Sequence, residues 1–440
     1  MRSAPVQQRG VALILVLITI AILTSIGVDF SYSSRVSLKL AENLRDETRA
    51  EYLAQSAVNL SRLLLHFQKQ VDQLGGQLGA ALGGALGATP GRQTGNVAGT
   101  NALAPGQQRA GSAAPAANNL GIRLWEILPI DSNAFGALLS GNIGGLQAAR
   151  TEVPRPASER RAVAHAFGGF DGTFHATIVD ENSRINVQAL DNVGNAPVAV
   201  FTQLRAMMAD PRYDFIFDEE DANRDRVPRD DVILAMKDWI DIDETATAID
   251  PASPLHPLVN GFGDENAAYS RYEPPYKAKN GRFDSLEELY MVRGVNDRFM
   301  AAFGDRLTIW PDINSKLNIN TDDPQQMLTN ILIAAANPND PALRDPRLLQ
   351  TILQEIQIRK MFAFFGMSAQ DFVAILQANG IRLRPEIDTR QGGNPANMFG
   401  STSDTFRITA TGRVGRIEKR LTTVVRYDDA LGKMLYWKED

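Results

Sequence analysis

The most strongly apolar stretch of the chain lies next to its amino terminus. Residues 11–28 contain no charged residue, and as a helix they would be about 27 Å long, close to the hydrocarbon thickness of a bilayer. Arg9 lies just before this stretch, and Asp29 ends it. The density of isoleucine, leucine and valine predicts a helix that inserts into a membrane, not a helix of a soluble core.

The helical pattern continues beyond the apolar stretch. One set of apolar residues recurs every four residues, at positions 36, 40 and 44. A second set alternates steps of four and three: Leu53, Ala57, Leu60, Leu64, Phe67 and Val71. Such spacing places apolar side chains on one face of a helix. We therefore predict one long helix over residues 11–74, about half in lipid and half on a folded domain.

The following segments differ in composition and pattern. Residues 75–119 are rich in glycine and alanine and have few bulky apolar side chains, which predicts a flexible tract. A short helix is expected over 134–149. Residues 173–179 alternate between polar and apolar, within a strand predicted over 170–179 with one buried face.

The second half of the chain changes character twice. The pattern of residues 188–385 predicts short amphipathic helices separated by proline and aspartate residues. Near the carboxyl end, residues 406–414, 417–427 and 434–437 read as three short strands with glycine turns, which favours an antiparallel sheet. Strands on both sides of a helical region predict an α+β fold interrupted by a large, mostly α-helical insertion.

Composition and charge exclude several classes of function. The 45 lysines and arginines and 51 aspartates and glutamates give a net charge of −6, so nothing attracts nucleic acid or anionic lipid in general. The chain has no cysteine, which excludes disulfides, thiol catalysis and cysteine metal sites. Its four histidines do not have the spacing of a zinc site or a catalytic triad.

The residues before the apolar stretch bear on processing. Arg9 and Gly10 directly precede it, and this junction resembles the leader that prepilin peptidase cuts after the glycine. Cleavage there would leave Val11 as a methylated amino terminus. Ser25 and Gly27 also fit the small-x-small rule of ordinary signal peptidase, so a removable signal peptide is the alternative.

Four phrases together resemble general secretion pathway protein K, the minor pseudopilin K family of type II secretion systems. They span most of the chain in order: residues 180–186, 238–243, 276–295 and 317–321. The resemblance implies a pilin-like fold, with helix-hairpin-helix or SAM-like elements in the inserted domain. The segments it implies are a leader (1–10), a transmembrane helix segment (11–28), the periplasmic half of that helix (29–74), the flexible tract (75–119), the first part of the pseudopilin domain (120–187), the inserted helical domain (188–400) and the closing strands (401–440).

Leu15 is the residue that points to the K-type subunit within this resemblance. Most pilin-like proteins carry a glutamate at the fifth mature position, where it pairs with the terminal ammonium of a neighbouring subunit. Counted from Val11, that position is Leu15. An unpaired carboxylate in hydrocarbon is costly, so a tip subunit gains from an apolar residue there. The alternative is that Leu15 is one more lipid-facing leucine.

The resemblance also implies location and partners. The protein would be a single-pass protein of the bacterial inner membrane with its bulk in the periplasm. Its partners would be the minor pseudopilins I, J and H, the major pseudopilin G and prepilin peptidase, with contact to the secretin or the exoprotein and none to nucleic acid. It would start pseudopilus assembly at the tip and would not be an enzyme.

An acidic cluster is the candidate metal site. Its members are Asp238, Asp241, Asp243 and Glu244, with Glu265 further along the chain. Carboxylates at this spacing near a helix end can converge on one hard cation, and calcium accepts six to eight oxygens in a tolerant geometry. The resemblance implies calcium in the inserted domain. The alternative is a solvated acidic helix end.

Other motifs leave two alternative functions open. Residues 221–225 look like the start of an EF-hand loop, but Arg226 and Val232 occupy the positions that need glycine and a bidentate acid, so we interpret them as a polar loop. Residues 283–295 resemble half of a helix-hairpin-helix, with Ser285 as a helix cap and Gly294 as the turn, used for protein contact. A competence-type DNA-binding protein and a membrane-anchored periplasmic hydrolase are the alternatives.

Overall fold

The computed structural model describes residues 9–86, 123–132, 134–135, 172–192, 196–220, 224–253, 257–313, 316–321, 324–337, 340–362, 367–400, 402–427 and 432–440. The helices are α1 Arg9–Leu86, α2 Leu124–Ile127, α3 Ala196–Met208, α4 Asp214–Asp218, α5 Arg229–Ile240, α6 Asp297–Phe303, α7 Pro324–Ala334, α8 Pro346–Phe362 and α9 Ala369–Ala378. The strands are β1 Ile130–Asp131, β2 Thr173–Asp180, β3 Ile185–Asn186, β4 Thr245–Ile249, β5 Leu258–Asp264, β6 Leu307–Thr308, β7 Leu317–Asn318, β8 Phe399–Gly400, β9 Thr405–Val414, β10 Ile417–Arg426 and β11 Lys433–Glu439.

The amino-terminal helix is longer than the sequence pattern predicts. Helix α1 runs to Leu86, so residues 75–86 of the glycine- and alanine-rich tract are helical. Alanine and leucine have high helix propensity and offset the cost of the glycines between them. Residues 1–8 of the predicted leader, the tract from 87 to 119 and most of the helix expected over 134–149 lie outside the described residues.

A five-stranded antiparallel sheet of order β1-β2-β9-β10-β11 packs against α1. The strands predicted near 173–179 and in the carboxyl-terminal part of the chain are present, because period-two alternation matches one buried face. Residues from α1, β2, β9 and β10 form one hydrophobic core, which we call the sheet core.

Helix α1 contacts the sheet along one face of its carboxyl-terminal half. Leu53 and Ala57 are buried there, as the spacing predicts, and so is Ala50, which lies before the predicted set, whereas Phe67 is about half exposed. The buried stripe also includes Ala54, so small side chains let the helix approach the sheet closely.

The chain between β2 and β9 forms a helical block with two hydrophobic cores of its own. The first helical core collects buried residues of 187–309, and the second collects those of 319–399. The block contains helices α3 to α9, and it also contains an antiparallel hairpin of β4 and β5. The alternation in residues 245–249 that forms β4 lies within the region predicted as short helices.

The chain enters and leaves this block at adjacent points. The Asn182 side-chain oxygen accepts hydrogen bonds from the backbone N–H of Asp404 at 3.2 Å and of Thr405 at 2.9 Å. The buried carboxylate of Asp180 accepts hydrogen bonds from the Ser403 hydroxyl and from the side-chain amide of Asn318 at 3.2 Å. The first family-like phrase, residues 180–186, therefore forms the joint between sheet and block.

Candidate functional site

The amino-terminal part of α1 presents its apolar side chains to the outside of the chain. By length and composition, Leu13–Val71 contains a helix able to cross a membrane, and the most apolar 18-residue window in it is not buried inside the protein. Leu15 is 61% exposed and makes no packing contact within the sheet core. Gly10 and Val11 lie in the first turn of α1, whose side chains are outside the described set.

Three of the predicted metal ligands converge at the end of α5. Asp238 lies on the buried face of the last turn, Asp241 is the residue that ends the helix, and Glu265 follows strand β5. One carboxylate oxygen from each lies within 4.8 Å of the others, and all three residues are buried. The hairpin of β4 and β5 brings the distant glutamate back to the helix end.

Four oxygens at this cluster lack hydrogen-bond partners, whereas Asp238 Oδ1 accepts from the Thr247 N–H and Asp241 Oδ2 accepts from the Lys237 ammonium. Asp241 Oδ1, both carboxylate oxygens of Glu265 and Asn280 Oδ1 are buried without a hydrogen bond of good geometry. They make up half of the eight such side-chain atoms among the described residues. A buried oxygen without a donor or a cation costs about 1–3 kcal/mol, so a cation bound here would stabilise these oxygens.

Asn280 is a candidate ligand that the sequence patterns do not single out. Its φ of +50° is left-handed, and its side-chain amide donates to the Asp243 backbone carbonyl at 2.8 Å. The Asn280-Gly281 dipeptide is a turn signal. No local pattern, however, shows that this turn folds back onto a helix end 39 residues earlier.

The electrostatics of the cluster favour a cation. Burial raises the pKa of Asp241 to about 6, although Lys237 opposes this shift, and burial also raises the pKa of Asp238. Burial and the neighbouring carboxylates raise the pKa of Glu265 to about 7, while the Asn280 amide lowers it in part. The carboxyl end of α5 carries a negative partial charge, which adds to this repulsion.

Asp243 and Glu244 do not join the cluster. Both are exposed. The Asp243 carboxylate accepts from the backbone N–H of Thr245 at 2.8 Å, so it stabilises the turn into β4. The side chains diverge because the helix ends at Ile240 and the next residues form a turn.

The dimensions of the cluster suit calcium. Calcium–oxygen distances are about 2.3–2.6 Å, so two oxygens on opposite sides of the ion lie about 4.6–5.2 Å apart. The carboxylate oxygens of Asp238, Asp241 and Glu265 lie within 4.8 Å of one another, which matches that span. Asp238, Asp241, Glu265 and Asn280 could therefore hold one hard divalent cation.

The helix-hairpin motif is packed into the block. Gly294 has a φ of +83°, as its predicted turn role requires, and a side chain there would meet Val227 and Val232. Ser285 is the N-cap residue of the 3₁₀ helix Leu286–Met291, as predicted, but its side chain makes no capping hydrogen bond. The nearby Arg293 forms an ion pair with Asp225 at 2.9 Å. Of the EF-like loop, residues 221–223 lie outside the described residues.

Comparison with known families identifies the part of the chain that holds the cluster. A family model described as type II secretion system (T2SS), protein K matches residues 183–312. Type II secretion system protein K of Aeromonas hydrophila is 34% identical over 92 residues, which are 21% of this chain and 24% of that protein. The protein of the same name from Klebsiella pneumoniae is 24% identical over 186 residues, 41% of this chain and 48% of that protein.

The matches span at most about half the length of these curated relatives. Among solved structures, this chain aligns with one chain of the GspK-GspI-GspJ complex from the enterotoxigenic Escherichia coli Type 2 Secretion System. The alignment covers 80% of that chain and 61% of this one. The identity is 17% and the TM-score 0.39, a value too low to establish a common fold. Residues 183–312 are therefore similar to the type II secretion system protein K family, and both curated relatives carry the same name.

Proposed function

We propose that this protein is the K-type minor pseudopilin of a type II secretion system. The observation that carries the proposal is an exposed apolar helix, α1, on a chain whose residues 183–312 match protein K. In this proposal α1 anchors the protein once in the inner membrane, and the sheet and the helical block lie in the periplasm. Prepilin peptidase cuts after Gly10 and methylates Val11.

The proposed position is the tip of the pseudopilus. Leu15 offers no carboxylate to the amino terminus of a neighbouring subunit, so α1 has no need of a subunit above it. The helical block interrupts the sheet domain between β2 and β9 and adds two further hydrophobic cores. A subunit with this extra bulk suits the end of a filament better than its shaft.

The proposed partners follow from this position. The exposed apolar residues of α1 between 30 and 44, including Val36, Leu40 and Leu44, offer a surface for the helices of the minor pseudopilins I, J and H and the major pseudopilin G. The protein would start pseudopilus assembly with them. Contact with the secretin or the exoprotein would then occur at the tip.

We also propose that the helical block binds calcium through Asp238, Asp241, Glu265 and Asn280. The support is the group of buried oxygens without partners at a spacing that suits this ion. When bound, calcium would neutralise the carboxylates and join the end of α5 to the chain that follows β5. Melting the protein with calcium and with a chelator tests this proposal.

Neither alternative function gains support from the geometry. Asp238, Asp241 and Glu265 are buried, so a substrate of a hydrolase has no direct access to them. The turn at Gly294 is packed against valines, and the arginine beside it is paired with Asp225. A DNA-binding hairpin instead needs exposed amides and available basic side chains.

The proposed function is tested in a strain of the source bacterium that lacks this chain. We expect exoproteins to accumulate in the periplasm, and a plasmid copy of the chain to restore secretion. The restored protein should begin at methylated Val11 by mass spectrometry. Leu15→Ile should restore secretion fully, whereas Leu15→Glu should not, because it places an unpaired carboxylate in the membrane.

Normal secretion without the chain would refute the proposed function. A mature amino terminus near residue 28 would refute the pilin-type processing. Equal secretion by the two Leu15 variants would refute the tip argument while leaving the function intact.

A further inference from the structure

Two large apolar side chains project from the surface next to the carboxylate cluster. Ile242 is 86% exposed, and Phe262 is fully exposed. A fully exposed phenylalanine lacks the free energy of about 1.5–3 kcal/mol that burial of its side chain would contribute. Its exposure in a strand therefore suggests a role in binding.

Glycines on both sides of Phe262 lie close to β4. A side chain at Gly261 would lie 2.6 Å from the Ala246 carbonyl oxygen, and one at Gly263 would contact Ala246 at 3.5 Å. The register of the hairpin shifts at this point, between Thr245 and Thr247. The Phe262 side chain between the two glycines is fully exposed.

Hydrogen bonds hold the loop with Ile242 beside this strand. Asn260 in β5 donates from its side-chain amide to the Asp243 carboxylate at 3.4 Å, and the Glu265 N–H donates to the Glu244 carbonyl at 3.4 Å. Ile242 and Phe262 thus project from two adjoining segments, residues 242–244 and strand β5, which together we call the hairpin surface.

The charge of the hairpin surface defines its partner. No lysine or arginine occurs between Lys237 and Arg271, whereas Asp243, Glu244 and Asp264 are all exposed. Exposed acidic side chains repel an anionic membrane and nucleic acid. They complement a protein surface whose rim carries lysine or arginine.

We propose that the hairpin surface docks Ile242 and Phe262 into an apolar pocket, bordered by lysine or arginine, on another protein in the periplasm. The proposal rests on the proposed function for the location of this surface. The Thr247 N–H donates to Asp238 at 2.8 Å, and Ile242 follows Asp241 directly, so both strands and the loop are attached to the cluster. A cation bound there would hold the hairpin surface in place for docking.

The test uses the full chain in detergent and measures its binding to the purified periplasmic parts of the other secretion-system components and to one exoprotein. We expect one of these to bind, with the Kd raised about tenfold by Phe262→Ser and further by adding Ile242→Ser. Glu244→Lys and added salt should also weaken binding. Ile358→Ser, which removes another exposed isoleucine on α8, should leave the Kd unchanged.

Each outcome has a defined meaning. The proposal would be overturned if the double variant bound every component as the unchanged protein does and also restored normal secretion to the deletion strain. Binding that is sensitive to Phe262→Ser but directed to vesicles of phosphatidylglycerol, or to a second copy of the chain, would also overturn it. Normal secretion in the deletion strain itself would refute the proposed function, while the binding measurement would still decide whether the hairpin surface docks.

Discussion

At the scale of single residues, the carboxylate cluster links stability to pH. The pKa values of Asp241 and Glu265 in the folded protein, about 6 and about 7, lie above the ordinary values of 3.8 and 4.5. A carboxyl with a raised pKa favours the folded state below its ordinary pKa, and this contribution is lost as pH rises through the folded value. Without a cation, the protein should therefore lose stability between about pH 4 and pH 7.

Calcium should reverse this loss. It binds the ionised carboxylates, so its affinity should increase as pH rises from 5 to 7.5. At a hundredfold excess over its Kd, calcium should add about 2.7 kcal/mol to the free energy of unfolding. We expect the difference in melting temperature between calcium and chelator to be large at pH 7.5 and small at pH 5.

Matched variants separate ligands from neighbours in the same melting experiment. Asp241→Asn should reduce the calcium-dependent shift. Asn280→Gly should do so as well, and glycine suits the left-handed backbone at that position. Asp243→Asn keeps a side chain able to accept from Thr245, so its shift should stay close to that of the unchanged protein. An equal melting temperature with calcium and with chelator at pH 7.5 would exclude the site.

The sequence identifies this site only in part. The spacing of Asp238 and Asp241 predicts convergence, because both lie near the end of one helix. The same spacing includes Asp243, which the structure places outside the cluster, in the turn that leads into β4. Asn280 and the exact place of Glu265 depend on tertiary structure, which no local pattern encodes.

At the scale of elements, the close contact of α1 with β9 is set by one glycine. A side chain at Gly412 would lie 2.0 Å from the Ala50 carbonyl oxygen and 2.6 Å from the Ala54 backbone nitrogen. These are backbone atoms of a helix, so they cannot move aside as a flexible side chain would. The helix and the sheet would have to separate.

We therefore expect Gly412→Ala to destabilise the protein. Overpacking of a core costs about 1–3 kcal/mol, and backbone contacts place this change at the upper end of that range. Urea unfolding followed by circular dichroism would measure it. Gly263→Ala is the control, because its new methyl group would meet Ala246 at an ordinary 3.5 Å. Equal stability of the two variants would show that α1 does not approach the sheet this closely.

The elements most accurately predicted from the sequence are those with a long, regular pattern. Helix α1 and the strands β2, β9 and β10 are buried on one face, so period 3.6 or period two is visible in the residues. Strand β1 has only two residues and no period of its own. The β4–β5 hairpin departs from the expected pattern because Phe262 faces outward from its strand.

At the scale of the whole molecule, the three hydrophobic cores are formed by separate parts of the chain. No residue of 187–399 belongs to the sheet core as the structure describes it. The contacts between block and sheet domain outside the joint include the rings of Trp310 and Tyr436, 4.9 Å apart, and the exposed ion pair of Glu287 with Lys438. An exposed pair of this kind contributes little stability.

The joint itself has a buried ionic group. Glu181 is fully buried and lies 2.8 Å from Arg407 of β9 and 3.7 Å from Arg184. The Thr308 hydroxyl of the block also donates to it. Because Arg407 belongs to the sheet domain, Glu181 would keep its closest charge partner even without the block.

These features predict that the helical block can be excised. A chain in which a short glycine-serine linker replaces residues 187–398 should still fold, because the bonds from Asn182 to Asp404 and Thr405 keep the two cut ends adjacent. It should unfold cooperatively at a lower temperature than the full chain, since it loses the contacts of Trp310 and Thr308, and its melting should not respond to calcium. The excised block, produced alone, should retain the calcium response, because all four proposed ligands lie within it. A sheet domain without a cooperative transition would instead mean that the cores fold only together, and that the protein is a single cooperative unit.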